Sequence, residues 1–235
     1  TNSTTNTMMA TVNRCQHIAG ILALVVVSTL ASKPPNVVFI VSDDLGFNDV
    51  SFHGSQQIPT PHIDSIANRG VKLMNYHVQP VCSPTRATFM SGRHVIHTGI
   101  YMPFPQGTPL RLNLSYTLLP GYLKTCCNYS THMVGKWHLG QNVMRAIPIG
   151  RGFDSYLGYW SGAEDYYTHD TSGAYDFNDD SSPASLNVAT EFNNTYSTLV
   201  FTARAVKIIN TFSPSSTQPL FLYLPYQNVH WPLEA

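Results

Sequence analysis

Two uninterrupted apolar runs constrain this chain most. They are NVVFIVSDDLG over residues 36–46 and PLFLYLPYQNVHWP over residues 219–232. A run that is apolar at every position, with no alternation, reads as a strand buried on both faces. Between the two runs, helical and strand patterns alternate. TPHIDSIANRG predicts a helix, with Thr60 as cap, Pro61 at its first position, Ile63, Ile66 and Ala67 on one face, and Gly70 as its stop. VKLMNYHV, residues 71–78, predicts a strand, and SPTRATFMSG predicts a helix capped by Ser83 with Pro84 in its first turn. A weaker helical pattern, interrupted by Pro120 and Gly121, covers residues 116–127, and THMVGKWHLG predicts a short strand ending in a glycine turn. Residues 168–194 read as a long polar surface excursion. STLVFTARAVKIINTF predicts an amphipathic helix with Leu199, Ala203, Val206 and Phe212 on or near one stripe. No internal repeat is present. This alternation predicts an α/β fold: a central, mostly parallel sheet with helices on both faces, and ligands at the C-terminal strand ends.

The 235 residues suffice for one substantial domain. A formal net charge of +0 with 11% charged residues shows no basic stripe of the kind nucleic-acid binding needs, and 43% hydrophobic residues exclude disorder. Arg14, the apolar run IAGILALVVVSTLA and small residues near Ala31 predict a leader and cleaved secretory signal over residues 1–32, too short for a stable membrane anchor. The remainder, 33–235, is expected to be the folded part. The sequons at Asn113, Asn128 and Asn193 suit a secreted or lysosomal route. Of the four cysteines, Cys126 and Cys127 are adjacent, too close for an ordinary unstrained disulfide, so partners outside this chain are expected.

Three polar clusters fall at the expected C-terminal strand ends. Asp43 and Asp44 follow the first apolar run; they are either ligands of a hard divalent cation or a solvated turn. Lys136 and His138 lie two apart on an extended segment and so point the same way. They suit an anionic substrate with a general acid, or else are a surface lysine beside a half-buried histidine. His230 ends the last run and by itself reads as structural. Cys82 precedes a helix start, with Arg86 one turn on. It is either a reactive thiolate, with His138 available as base, or a buried cysteine.

CSPTR, residues 82–86, resembles the C-x-P-x-R signature of type I sulfatases. The stretches PPNVVFIVSDDLGFNDVSFHGS, TPHIDSIANRGV, GKWHLG, RGFDSYLGYWSGAEDYY and PLFLYLPYQNVHWPL resemble the same family in the same order. Within it, residues 34–233 are most similar to arylsulfatases B, I and J, the first being the N-acetylgalactosamine-4-sulfatase. The resemblance implies an alkaline-phosphatase-like α/β fold. It further implies that Cys82 is converted to formylglycine by a formylglycine-generating enzyme, and that calcium, ahead of magnesium, is held by Asp43, Asp44 and the modified Cys82. Arg86 would then steady the aldehyde hydrate. Lys136 and His138 would contact the sulfate and the nucleophile, and His230 would hold or protonate the leaving side. The implied reaction is hydrolysis of sulfate esters, on a sulfated small molecule or a glycosaminoglycan. Two features depart from the family: Thr85 stands where serine or alanine is usual, and a later Asp-Asn pair and lysine are not in this sequence. The resemblance therefore covers an N-terminal portion of the catalytic domain, expected to be inactive or nearly so alone. The alternatives are a short non-catalytic protein that binds sulfated glycans, and a phosphatase or phosphodiesterase of the same superfold. That superfold's serine or threonine nucleophile is at odds with Cys82.

Overall fold

The computed structural model describes residues 34–180, 186–212 and 216–234. The expected leader and signal over residues 1–32 lie outside the described residues. Among the described residues, no helix is long and apolar enough to cross a membrane.

In chain order the principal elements are β1 (Val37–Val41), α1 (Pro61–Arg69), α2 (Cys82–Ser91), α3 (Val95–Thr98), α4 (Leu119–Cys127), β2 (Ser130–Val134) and β3 (Ser155–Gly158). A small hairpin of β4 (Asp170–Thr171) and β5 (Ala174–Tyr175) follows, then β6 (Asn178–Asp180), α5 (Ser197–Thr211) and β7 (Leu220–Pro225). The central sheet has the order β1-β7-β2-β3-β6. Its first three pairings are parallel, and β6 closes the edge antiparallel to β3. The first and last apolar runs are thus neighbours, with Val37 opposite Phe221 and Val41 opposite Pro225. This is the mixed, mostly parallel sheet expected from the sequence.

β7 shows why helices must lie on both faces. Every residue of it is buried. Leu220, Leu222 and Leu224 join one apolar cluster with Val200, Phe201 and Ala205 of α5. Phe221 and Tyr223 point the other way, into a second cluster with Ala87 and Met90 of α2 and with Trp137 and Phe153. The period-2 alternation of a strand therefore feeds two cores, one per face.

Several expectations change in the structure. β1 is an edge strand: Val37, Phe39 and Val41 pack on the α2 side, while Val38 and Ile40 are exposed. Residues 71–78 form no strand, and Val71, Leu73 and Tyr76 are exposed; a β-prone composition makes a strand only where a neighbour supplies ladder bonds. Helix α2 begins two residues earlier than expected, so Ser83 is inside it and Val81 occupies the cap. The buried face of α5 is Ser197, Val200, Phe201 and Ala205, with Leu199 and Val206 exposed. The polar stretch 168–194 is more than a surface excursion, since it places Phe177, Asn178, Asp180 and Ala189 in the interior.

Candidate active site

Asp43 stands two residues past the end of β1. Its backbone is tied to the loop after β7: its N–H donates to the Asn228 carbonyl at 2.8 Å, and its carbonyl accepts from the Val229 N–H at 2.7 Å. These two bonds bring Asp43 beside His230. From the neighbouring strand β2, the chain passes Gly135 and presents Lys136, whose N–H donates to the Pro225 carbonyl at 3.0 Å. Three parallel strand ends thus meet at one place, as the switch-point rule for such sheets predicts.

At that place Asp43 Oδ2 accepts from Lys136 Nζ and, at 3.2 Å, from the Arg86 guanidinium. Arg86 also donates to the Lys136 carbonyl at 2.7 Å. All three side chains are buried. Burial pushes the Asp43 carboxyl up, but Arg86 and Lys136 reverse this and hold it below its ordinary value. Burial and Arg86 together push Lys136 down, against the pull of Asp43.

Cys82 occupies the first position of α2 and is half-buried. Its Sγ lies 3.4 Å from Lys136 Nζ and 3.9 Å from Asp43 Oδ1. Ligand atoms of Asp43, Cys82 and His230 all fall within 4.8 Å of one another. Burial raises the Cys82 thiol, yet a hydrogen bond with His230 and the Lys136 charge bring it below its ordinary value. The same bond to Cys82 is the main reason His230 is raised. A cleft of 410 Å³ opens here, lined by Asp43, Asp44, Gln79, Cys82, Thr85 and Arg86 among others.

Asp44 is exposed, adopts a left-handed backbone (φ 57°) and places Oδ2 3.7 Å from His230 Nε2. Both carboxylates therefore approach the same imidazole. Asp43 Oδ1 and the Asp44 carboxylate are hard oxygen donors, so they fit one side of a calcium or magnesium shell. Asp43 Oδ2 is already taken by the two cations.

His138 behaves differently from the expectation. Its backbone is left-handed (φ 55°) rather than extended, so the two-apart rule does not apply, and Nε2 lies 3.0 Å from the Phe104 carbonyl. A carbonyl accepts, so Nε2 carries the proton and the partnerless Nδ1 is bare. Burial and the Lys136 charge push the imidazole down to about 3, so it is neutral. It can accept a hydrogen bond at Nδ1, but it resists protonation and so cannot serve as the general acid read from spacing. Its link to Cys82 runs through the backbone: Ser83 Oγ donates to the His138 carbonyl at 3.0 Å. Of the seven residues singled out by sequence, the structure gathers six: Asp43, Asp44, Cys82, Arg86, Lys136 and His230. His138 borders them.

Sequence reasoning missed two supporting residues. Tyr223, fully buried on β7, lies beside Arg86, and burial keeps its hydroxyl neutral. Its place on the α2-facing side of the strand was the available signal. Phe104, whose carbonyl sets the His138 tautomer, carried none, because any residue supplies a carbonyl.

A family model described as Sulfatase matches residues 35–235. Arylsulfatase J of Mus musculus is 45% identical over 214 residues, covering 88% of this chain and 34% of that protein. The crystal structure of Ps i-CgsB in complex with k-i-k-neocarrahexaose matches with TM-score 0.73 and 29% identity, over 86% of this chain and 46% of that one. The structure of BT4656 in complex with its substrate D-Glucosamine-2-N, 6-O-disulfate matches with TM-score 0.66 and 25% identity, over 85% of this chain and 35% of that one. The chain thus spans about a third of arylsulfatase J and less than half of either solved structure. With a matching model over nearly all described residues, this chain belongs to the sulfatase family of enzymes.

Proposed function

We propose that the protein hydrolyses sulfate esters at the Cys82 cleft. Its substrate class is a sulfated carbohydrate, such as an N-acetylgalactosamine-4-sulfate unit of a glycosaminoglycan, met along the secretory or lysosomal route. Residues 33–235 supply part of the catalytic domain. The observation that carries this reading is the convergence of Cys82, Lys136, Arg86 and His230 around Asp43 at the strand ends. A residue held at a helix start beside two fixed cations suits a nucleophile facing an anionic sulfate ester better than it suits an inert core cysteine.

In this reading a formylglycine-generating enzyme converts Cys82 to formylglycine, whose hydrate supplies the nucleophilic oxygen. A calcium ion, when bound by Asp43 Oδ1, Asp44 and the modified residue 82, supplies Lewis-acid polarisation of the sulfate. The chain's own groups do the rest. Lys136 and Arg86 place positive charge where sulfate oxygens gather it. Neutral His138 offers Nδ1 only as a hydrogen-bond acceptor at the border of the site. His230, beside residue 82 and Asp44, is the donor for the departing alcohol.

The test is to express the protein in a secretory host and examine residue 82 by peptide mass spectrometry with an aldehyde-reactive probe, alongside turnover of an aryl sulfate. Aldehyde at residue 82, with at most a trace of turnover that Cys82→Ala removes, is the expected result. An unmodified thiol that binds sulfated glycans without turnover would mark a non-catalytic glycan binder instead.

A further inference from the structure

Cys126 and Cys127 lie far from the Cys82 cleft in sequence and take no part in the mechanism above. They form the last turn of α4, with Cys126 exposed and Cys127 half-buried against the α2-side core. Their Sγ atoms are 2.7 Å apart. That is shorter than an ordinary contact between sulfurs but clearly longer than the roughly 2 Å of a disulfide bond, so the two are unbonded thiols already facing each other. Adjacent Cα atoms are held about 3.8 Å apart by the peptide, below the usual disulfide range of about 4.4–6.8 Å. A bridge between them is therefore strained, and strained or exposed disulfides are the easily reduced ones.

We propose that Cys126 and Cys127 are a redox modification site: a vicinal dithiol that closes reversibly to a disulfide with each other, using a small-molecule disulfide such as oxidised glutathione. The Cys126 thiolate attacks one glutathione sulfur, forming a mixed disulfide and releasing one glutathione thiolate. Cys127, losing its proton to solvent, then attacks Cys126 Sγ and expels the second glutathione thiolate. The two protein thiols are oxidised by two electrons, and one oxidised glutathione becomes two reduced ones. The geometry assigns the order. Cys126 is open to solvent, while Cys127 is partly covered and its thiol is held protonated by its hydrogen bond with Cys126. The closed ring is incompatible with regular helical backbone at the end of α4. Closure would thus disturb Asn128, whose N–H now caps the helix on the Leu123 and Lys124 carbonyls.

The experiment equilibrates the full 235-residue chain in glutathione redox buffers, blocks free thiols with an alkylating agent and maps the peptide that carries both cysteines. The expected result is a peptide lighter by two hydrogens that a dithiol reductant reverses. Its oxidised fraction should rise from about a tenth to about nine-tenths over roughly a hundredfold change in the ratio of oxidised glutathione to reduced glutathione squared, as a two-electron couple requires. Cys127→Ser should instead accumulate glutathione on Cys126. A persistent glutathione adduct in the unsubstituted chain, a bridge from either cysteine to Cys15 or Cys82, or two thiols that stay free throughout would each overturn the proposal.

Discussion

Asp43 joins two buried cations on one carboxylate oxygen, so both lose this anionic partner when it is removed. Removing one partner of a buried ion pair leaves uncompensated charge, which costs about 3–5 kcal/mol. Asp43→Ala is therefore expected to lower unfolding free energy by about that amount, read from urea denaturation midpoints. Lys136→Met leaves Arg86 to balance Asp43 and should cost less. His138 makes a pH-dependent contribution of definite sign. Its folded value of about 3 lies below the ordinary histidine value of 6.5. Between those values the unfolded chain binds more protons than the folded one, so this residue makes stability fall as pH drops from about 6.5 to 3. His138→Gln should flatten that slope, measured as the difference between the two proteins' denaturation midpoints across the window. An unchanged slope would mean that the ring is not held neutral. The site residues were legible through the resemblance of CSPTR and its companion stretches, because each polar cluster taken alone also had a structural reading. The His138 tautomer was not, because a backbone carbonyl from Phe104 decides it.

Close approach between strand ends sets the next scale. A side chain at Gly135 would place its Cβ 2.0 Å from the Pro225 carbonyl oxygen, and one at Gly158 would meet the Gly135 carbonyl at 2.2 Å. Both glycines also have positive φ, 122° and 149°. The backbone here must cross with no intervening side chain for Lys136 to reach Asp43. Gly135→Ala is expected to cost more than the 1–3 kcal/mol typical of overpacking, and to loosen Lys136 from Asp43. Gly107→Ala is the control: it too has positive φ (68°), but nothing lies within 4 Å, so only the roughly 1–2 kcal/mol of left-handed backbone strain applies. Thermal unfolding of the two variants separates crowding from strain. β7 was legible as a strand buried on both faces from its unbroken apolar run; the equally apolar β1 was legible as a strand but not as an edge, with Val38 and Ile40 exposed. Residues 71–78 and the face of α5 were not. Pairing partners and helix rotation depend on what lies opposite, and local sequence does not contain it.

At the scale of the molecule, the site is asymmetric. The sheet, α2 and the loop after β7 enclose Asp43, while Asp44 on the other side is exposed. The oxygen donors of the proposed calcium site among the described residues are Asp43 Oδ1, Asp44 and, once modified, residue 82, whereas calcium takes about six to eight oxygens. Water can complete such a shell, but each water replaces a charged ligand and weakens the site. The 235-residue chain is therefore expected to bind calcium no tighter than about 1 mM, the loose end of protein calcium sites, and to turn over aryl sulfates barely, even with formylglycine at residue 82. A calorimetric calcium titration checks this directly, with Asp44→Asn as the comparison. Asp44 makes no buried ion pair, so this variant should weaken binding further while leaving unfolding free energy nearly unchanged. Saturation at micromolar calcium, lost in Asp44→Asn, would show instead that these few residues close the shell. The scaffold would then bring a complete metal centre to the strand ends of β1 and β7.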